Sequence, residues 1–214
     1  MTDYAPPDTP LELIHVDADL IVAAKPAGLL SVPGKGAHLA DCLIARIARI
    51  HPEVLLVHRL DRDTSGVIIF ARNGAAQRHL GLQFEKRQLR KVYVARVSGR
   101  IDEAEGEVDL PIAVDWPNRP RQRVDHENGR PAQTRWRVVE AGEGETRVRL
   151  MPRTGRSHQL RVHMAEIGHP ILGDPFYATG AARAHPRLML HSESLRLRHP
   201  TGGAWVTFRA DVPF

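Results

Sequence analysis

Cysteine is almost missing: Cys42 stands alone in 214 residues. A single thiol closes no internal disulfide and supplies no Cys-based structural zinc site, which fits a reducing compartment and makes the cytoplasm the expected location. Long apolar runs are missing as well, none approaching the roughly 18 residues of a membrane span. The opening stretch, Met1 to Pro10, is acidic and proline-rich, without the basic-then-apolar pattern of an export leader, and is expected to be a disordered tail. There is no internal repeat and no low-complexity segment. Metal-ligating spacing is absent too: His158 and His163 do not have the spacing that puts two ligands on one helical face, and His185, His191 and His199 are scattered. Gly34-Lys35-Gly36 is too short for a phosphate loop and lacks the Ser or Thr after Lys. Neither metal nor cofactor is expected.

What is present is a moderate excess of positive charge. Thirty Lys and Arg stand against 25 Asp and Glu, a formal +5 with the twelve His neutral. That balance points to a polyanionic partner more than to a membrane. The length suits a single domain with a sizeable core, expected over residues 11–214.

The pattern is one of strands broken by a few helices. Leu11 to Val16 and Leu20 to Ala24 read as strands around an Asp17-Ala18-Asp19 turn, ending at Lys25-Pro26-Ala27-Gly28. Leu39 to Ile50 is amphipathic, with Leu39, Leu43, Ile47 and Ile50 on one face. Ala75 to Arg87 predicts a helix with a basic C-terminal end. Val92 to Val97, Val108 to Val114, Ala132 to Val139 and Thr146 to Met151 read as strands. A helix over Ser157 to Ile167 follows, capped by Ser157. The chain closes on strands near Leu188 to His191, Ser194 to Leu197 and Ala204 to Arg209. This order predicts an α+β fold with a mixed, mostly antiparallel sheet.

The chemistry concentrates in His58-Arg59-Leu60-Asp61-Arg62-Asp63-Thr64-Ser65-Gly66, between the apolar runs Val54 to Val57 and Val67 to Phe70. A carboxylate flanked by Arg59 and Arg62 is held ionised, because nearby cations favour the charged form. Asp61 is therefore a candidate nucleophile or base. The alternative is a plain turn in which Asp63, Thr64 and Ser65 bond neighbouring amides and Gly66 supplies a positive φ.

This signature resembles that of the pseudouridine synthases of the RluA type. Three further segments resemble the same family in the same order: Asp19 to Gly34, Lys91 to Gly99, and Thr154 to His163. The stretch Asp109 to Pro120, with Trp116-Pro117-Asn118-Arg119-Pro120, narrows the likeness to the dual-specificity branch acting on ribosomal and transfer RNA. The resemblance implies a long bent sheet with flanking helices and a central catalytic cleft, and an isomerase that converts uridine to pseudouridine without a cofactor. It makes Asp61 the catalytic carboxylate, Arg161 the cation that pairs with it, Tyr93 the ring that stacks on the uracil and Arg59 the side chain that enters the RNA when the base leaves. His58, Arg156, His158 and Arg119 become RNA-contact candidates. The implied targets are the first anticodon-loop nucleotide of certain tRNAs and one loop uridine of 23S rRNA. The S4-like module that many members carry is not expected, so RNA binding falls to the catalytic domain, acting as a monomer.

The residues alone leave several points open. Asp61 can attack the sugar or the pyrimidine, or take a proton from C2′. Arg161 can bridge a surface acid such as Glu166, and Tyr93 can be a core tyrosine. Two basic clusters, Lys86, Arg87, Arg90 with Lys91 and Arg119, Arg121 with Arg123, can track phosphates or merely face solvent. An idle RNA binder and a nucleoside hydrolase are rival readings, the second weakened by the lack of an obvious partner carboxylate.

Overall fold

The computed structural model describes residues 4–214. The first stretch of the chain holds β1 (Leu13–Val16), β2 (Leu20–Lys25), α1 (Leu43–Ala48), β3 (Leu55–Leu56), β4 (Ser65–Ala71) and α2 (Gly74–Glu85). The middle holds β5 (Arg90–Ser98), β6 (Glu105–Asp109), β7 (Ile112–Val114), β8 (Gln122–Val124), β9 (Gln133–Ala141), β10 (Glu145–Pro152), α3 (Gln159–Glu166) and α4 (Gly180–Arg183). Two strands end it, β11 (Leu190–Arg198) and β12 (Trp205–Arg209). The class is α+β, with strand pairing that is mostly antiparallel, as the order of elements predicts. The chain divides into two compact units: the first runs to Arg90 and resumes over Ser192–Pro213, and the second holds Lys91–His191 with Phe214.

In the first unit β2 pairs antiparallel with β1 on one side and β4 on the other, in register from Leu20↔Ala71 to Lys25↔Gly66. The unbroken apolar run of β4 is buried along its whole length, as a strand covered on both faces must be. Leu20, Val22, Val67 and Ile69 meet Leu80 of α2 and Leu195, Leu197 and Phe208 of the β11–β12 hairpin in one core. The α2 start is sharp because the Asn73 side chain accepts the Ala76 amide at 2.8 Å. In the second unit β5, β10, β9 and β6 pair antiparallel in that order. Thr146, Val148 and Leu150 face the core while Arg147 and Arg149 alternate outward. A separate β7–β8 hairpin completes this unit.

Several boundaries differ from the sequence reading for local reasons. The helix expected over Leu39 to Ile50 is a 3-10 turn at Ala37–Leu39 followed by the short α1. Cys42 between them is extended, and Asp41 is held by a fork from Arg46 at 2.9 and 2.7 Å, so the helix cannot run through; Ile50, placed on its buried face, is 62% exposed. The strand expected over Val108 to Val114 splits into β6 and β7 at Pro111, which has no amide to donate. The two final strands expected on either side of Glu193 are one, β11, and the Glu193 carbonyl accepts the Ala210 amide at 3.1 Å. Of the stretch 1–10, residues 1–3 lie outside the described residues. Tyr4 to Pro10 form no helix or strand, and the Tyr4 hydroxyl donates to the Asp41 carbonyl (2.8 Å) and accepts the Leu30 amide (3.0 Å).

The β1–β2 turn is tied to the β11–β12 turn through Asp17. One carboxylate oxygen meets His15 Nε2 at 2.6 Å and His199 Nε2 at 3.0 Å; the other accepts the Asp19 and Leu20 amides, both at 2.8 Å. Burial alone would push Asp17 up, but the His15 bond and the two amides outweigh it and hold the carboxyl far below its usual 3.8. For His199 burial pushes down, and the Thr201 carbonyl and Asp17 outweigh it, leaving the imidazole above its usual 6.5. A raised histidine stabilises fully below its unfolded pKa and fades as pH rises through the folded one; a depressed acid stabilises above 3.8 and fades as pH falls. The tie is therefore strongest between these two limits. Asp17→Asn is expected to lower the melting temperature more at pH 5.5 than at pH 8.5, checked by thermal unfolding at both.

Candidate active site

In the first unit the signature occupies the loop between β3 and β4, and the entry segment builds its floor. Lys25 is 1% exposed, and its ammonium donates to three carbonyls: Leu29 (2.6 Å), Arg62 (2.7 Å) and Pro26 (2.9 Å). A buried ammonium is tolerated only when its donors are filled, so these bonds fix both loops at once. Gly28, at φ +84, turns the entry segment so that its amide reaches the Arg62 carbonyl at 2.9 Å. The Ser31 hydroxyl and the Leu60 backbone bond each other both ways, at 2.8 and 3.1 Å. Asp61 thus follows a residue anchored through its backbone and precedes another, and its own carbonyl accepts the Thr64 amide at 3.2 Å. Its side chain is half-buried.

Other signature residues have structural duties that spacing did not reveal. Arg62, expected beside Asp61, forks onto Asp63 through Nε and Nη2 at 2.8 and 3.1 Å. His58, expected to contact RNA, is half-buried; its Nε2 accepts the Ile69 amide at 3.1 Å, and its ring stacks on Phe84 at 4.6 Å. Gly66, at φ +109, passes so close to Ser192 that a Cβ would lie 2.2 Å from its carbonyl oxygen. Only glycine fits there. Arg59 is exposed.

In the second unit Arg161 lies in the first turn of α3, which begins at Gln159, with His158 at its cap in a left-handed conformation; Ser157, the expected cap, precedes it. Arg161 is 2% exposed, and its Nε and Nη2 fork onto Asp174, 0% exposed, both at 2.7 Å. The acid is Asp174, not the Glu166 weighed as an alternative. Asp174 in turn accepts the amides of Phe176 (2.8 Å) and Tyr177 (3.2 Å), and the guanidinium sits 5.2 and 5.3 Å from those two rings. A planar fork with two ring neighbours leaves the guanidinium one orientation. The Tyr177 oxygen accepts the Gln122 amide at 2.7 Å and shares a hydrogen bond of 2.8 Å with His158 Nδ1. Burial pushes the Tyr177 hydroxyl up to about 12, keeping it a donor at any physiological pH.

The remaining letters of the Thr154 to His163 motif hold this helix in place. The Gln159 amide donates to the Gln133 carbonyl and Thr134 hydroxyl and accepts from the Thr154 hydroxyl (2.6 Å) and the Arg156 amide. His163, pushed down by burial, sits between the Thr134 hydroxyl and the Leu110 carbonyl. Tyr93 is half-buried on β5, opposite Leu150, and packs against the core of this unit. Arg156 reaches the Pro131 carbonyl at 3.2 Å. Arg119 lies over the Trp116 ring at 3.5 Å, and that ring is 65% exposed. Asp174, Tyr177 and Lys25 escaped the sequence reading. The one available signal was that three basic side chains at the start of a helix need an acid.

These features define a class: an ionisable acid on a backbone-fixed loop, a clamped guanidinium and exposed basic and aromatic side chains, on an α+β scaffold. The RNA pseudouridylate synthase family model matches residues 19–166. The chain belongs to that family, whose members isomerise uridine in RNA. It is 52% identical to the dual-specificity RNA pseudouridine synthase RluA of Escherichia coli K12, over 100% of this chain and 99% of that one. The RluA of Pasteurella multocida is 46% identical over the same shares. Among solved structures, human RNA pseudouridylate synthase domain containing 1 superposes with a TM-score of 0.82 at 30% identity, covering 98% of this chain and 87% of that one. Asp174 and Tyr177 lie beyond the matched family segment.

Proposed function

We propose that this chain makes pseudouridine at two kinds of site, the first nucleotide of certain tRNA anticodon loops and one loop uridine of 23S rRNA, as a cytoplasmic, cofactor-free monomer whose two units act as one catalytic domain. The observation that carries the dual assignment is the 52% identity over the whole chain to a dual-specificity synthase. The reaction moves no atom in from outside: the bond from C1′ to N1 breaks, the base turns, C1′ joins C5, and the C5 proton leaves as N1 gains one. Asp61 is the carboxylate that meets the sugar or the base, Arg161 its counter-charge and Tyr93 the ring under the uracil. Extracting a uridine from a folded loop costs a few kcal/mol of unstacking. Exposed Arg59 suits the replacement of the lost stack. The Trp116 indole, backed by Arg119, offers a flat surface for a splayed base.

Transcripts of a tRNA anticodon stem-loop and of the 23S loop, tritiated at C5 of uridine, test this. Tritium is expected to be released from both without free uracil, and carbodiimide-blocked primer extension is expected to stop at one uridine in each. Release from one RNA alone defeats the dual assignment. Free uracil makes the protein a hydrolase, and binding with no release makes it an idle RNA binder.

A further inference from the structure

In the sequence Lys91 belongs to a basic cluster with Lys86, Arg87 and Arg90 that either tracks phosphates or faces solvent. Lys91 is half-buried on β5, two residues before Tyr93 and so on the same face of that strand. Its ammonium donates to the Thr154 carbonyl at 2.9 Å, its one hydrogen bond among the described residues. It lies beside Gly155, where a Cβ would be 3.5 Å from Nζ, an ordinary contact. Among the described residues no carboxylate pairs with it. Arg90 precedes it on the strand, and Arg153 and Arg156 flank Thr154 and Gly155 in the sequence. A partly desolvated ammonium with donors to spare costs free energy that an anion would offset.

We propose that Lys91 is a phosphodiester seat for the substrate RNA, its ammonium held on the Thr154 carbonyl and bonding the phosphate beside the nucleotide whose base stacks on Tyr93. This rests on the RNA reading above. The Gly155 position has no side chain to stand between the ammonium and a phosphate, and the Thr154 bond fixes where the charge sits. Burial pushes the free ammonium down to about 8, and a phosphate partner raises it again, so binding takes up a proton as pH passes 8.

The test is fluorescence-anisotropy affinity for the anticodon stem-loop RNA between pH 7 and 9, at several salt concentrations, for the wild type, Lys91→Gln and Lys91→Arg. The wild type is expected to lose affinity as pH rises through 8. Lys91→Gln is expected to bind about 10-fold more weakly at pH 7, with a salt slope smaller by about one, and to be flat with pH. Lys91→Arg, always charged, is expected to keep the affinity and also be flat. Wild-type affinity that does not change from pH 7 to 9 overturns the proposal without any variant, as does a folded Lys91→Gln with unchanged affinity and salt slope. Pseudouridine formation scored in the same samples separates the two readings. RNA bound but never isomerised by the wild type defeats the enzymatic one, whereas normal isomerisation with a pH-insensitive affinity defeats only the seat.

Discussion

Asp61→Asn is expected to reduce pseudouridine formation by about 10⁴-fold or more, the scale seen when an essential acid–base or nucleophilic group is lost. The substitution keeps shape and removes only the ionisable oxygen. The bonds that shape the loop run through Lys25, Gly28, Ser31 and the backbone of Leu60, Arg62 and Thr64, so a melting temperature within a few degrees of the wild type is expected. RNA affinity is expected to be unchanged or higher, because a carboxylate near phosphates opposes binding and the amide does not. Single-turnover conversion of the anticodon stem-loop, with affinity measured in parallel, checks all three. A folded Asp61→Asn protein that converts its RNA at more than about a hundredth of the wild-type rate removes Asp61 from the centre of the chemistry.

Asp174→Ala is expected to have the largest effect on stability. Arg161 and Asp174 are both almost wholly enclosed and share a two-bond fork. Removing one partner takes the two-bond fork away from a buried guanidinium, a loss of about 3–5 kcal/mol. It also releases the amides of Phe176 and Tyr177, and with them the Tyr177 bonds to Gln122 and His158. For a chain of this size that is a fall of about 10 °C in melting temperature. Turnover is expected to collapse with it, since a guanidinium free to rotate no longer presents charge in one direction. Asp174→Asn separates the two effects. It keeps an acceptor for one bond of the fork, so it is expected to fold more stably than the alanine variant yet remain impaired in turnover and nearly normal in RNA affinity. An Asp174→Ala protein with wild-type melting and wild-type turnover would mean that the fork neither stabilises the unit nor orients Arg161.

Period and punctuation made most of the elements legible. The alternation of Thr146, Val148 and Leu150 against Arg147 and Arg149 is a strand in any context that buries one face. The continuous apolar run of β4 needed only its length and its flanking turns. Misread boundaries fell where a single contact overrides propensity: Asp41 held by Arg46, Pro111 without an amide, and the left-handed His158 that delays the start of α3. The short β8 and α4 have too few residues to show a period and were not anticipated.

By itself the sequence determined the kind of chemistry, because a nine-residue signature with three companions in order is a local property of the chain, visible without folding it. It also marked Asp61, Arg161 and Tyr93 as the side chains to watch. Which neighbour serves which charge was decided only by tertiary structure. Lys25 finds the Arg62 carbonyl across 37 positions, Arg161 finds Asp174 across 13, and Tyr177 joins Gln122 to His158 across 55 and 19. A hydrogen bond depends on distances of about 3 Å in space, and spacing along a chain carries no such information once the chain turns back on itself.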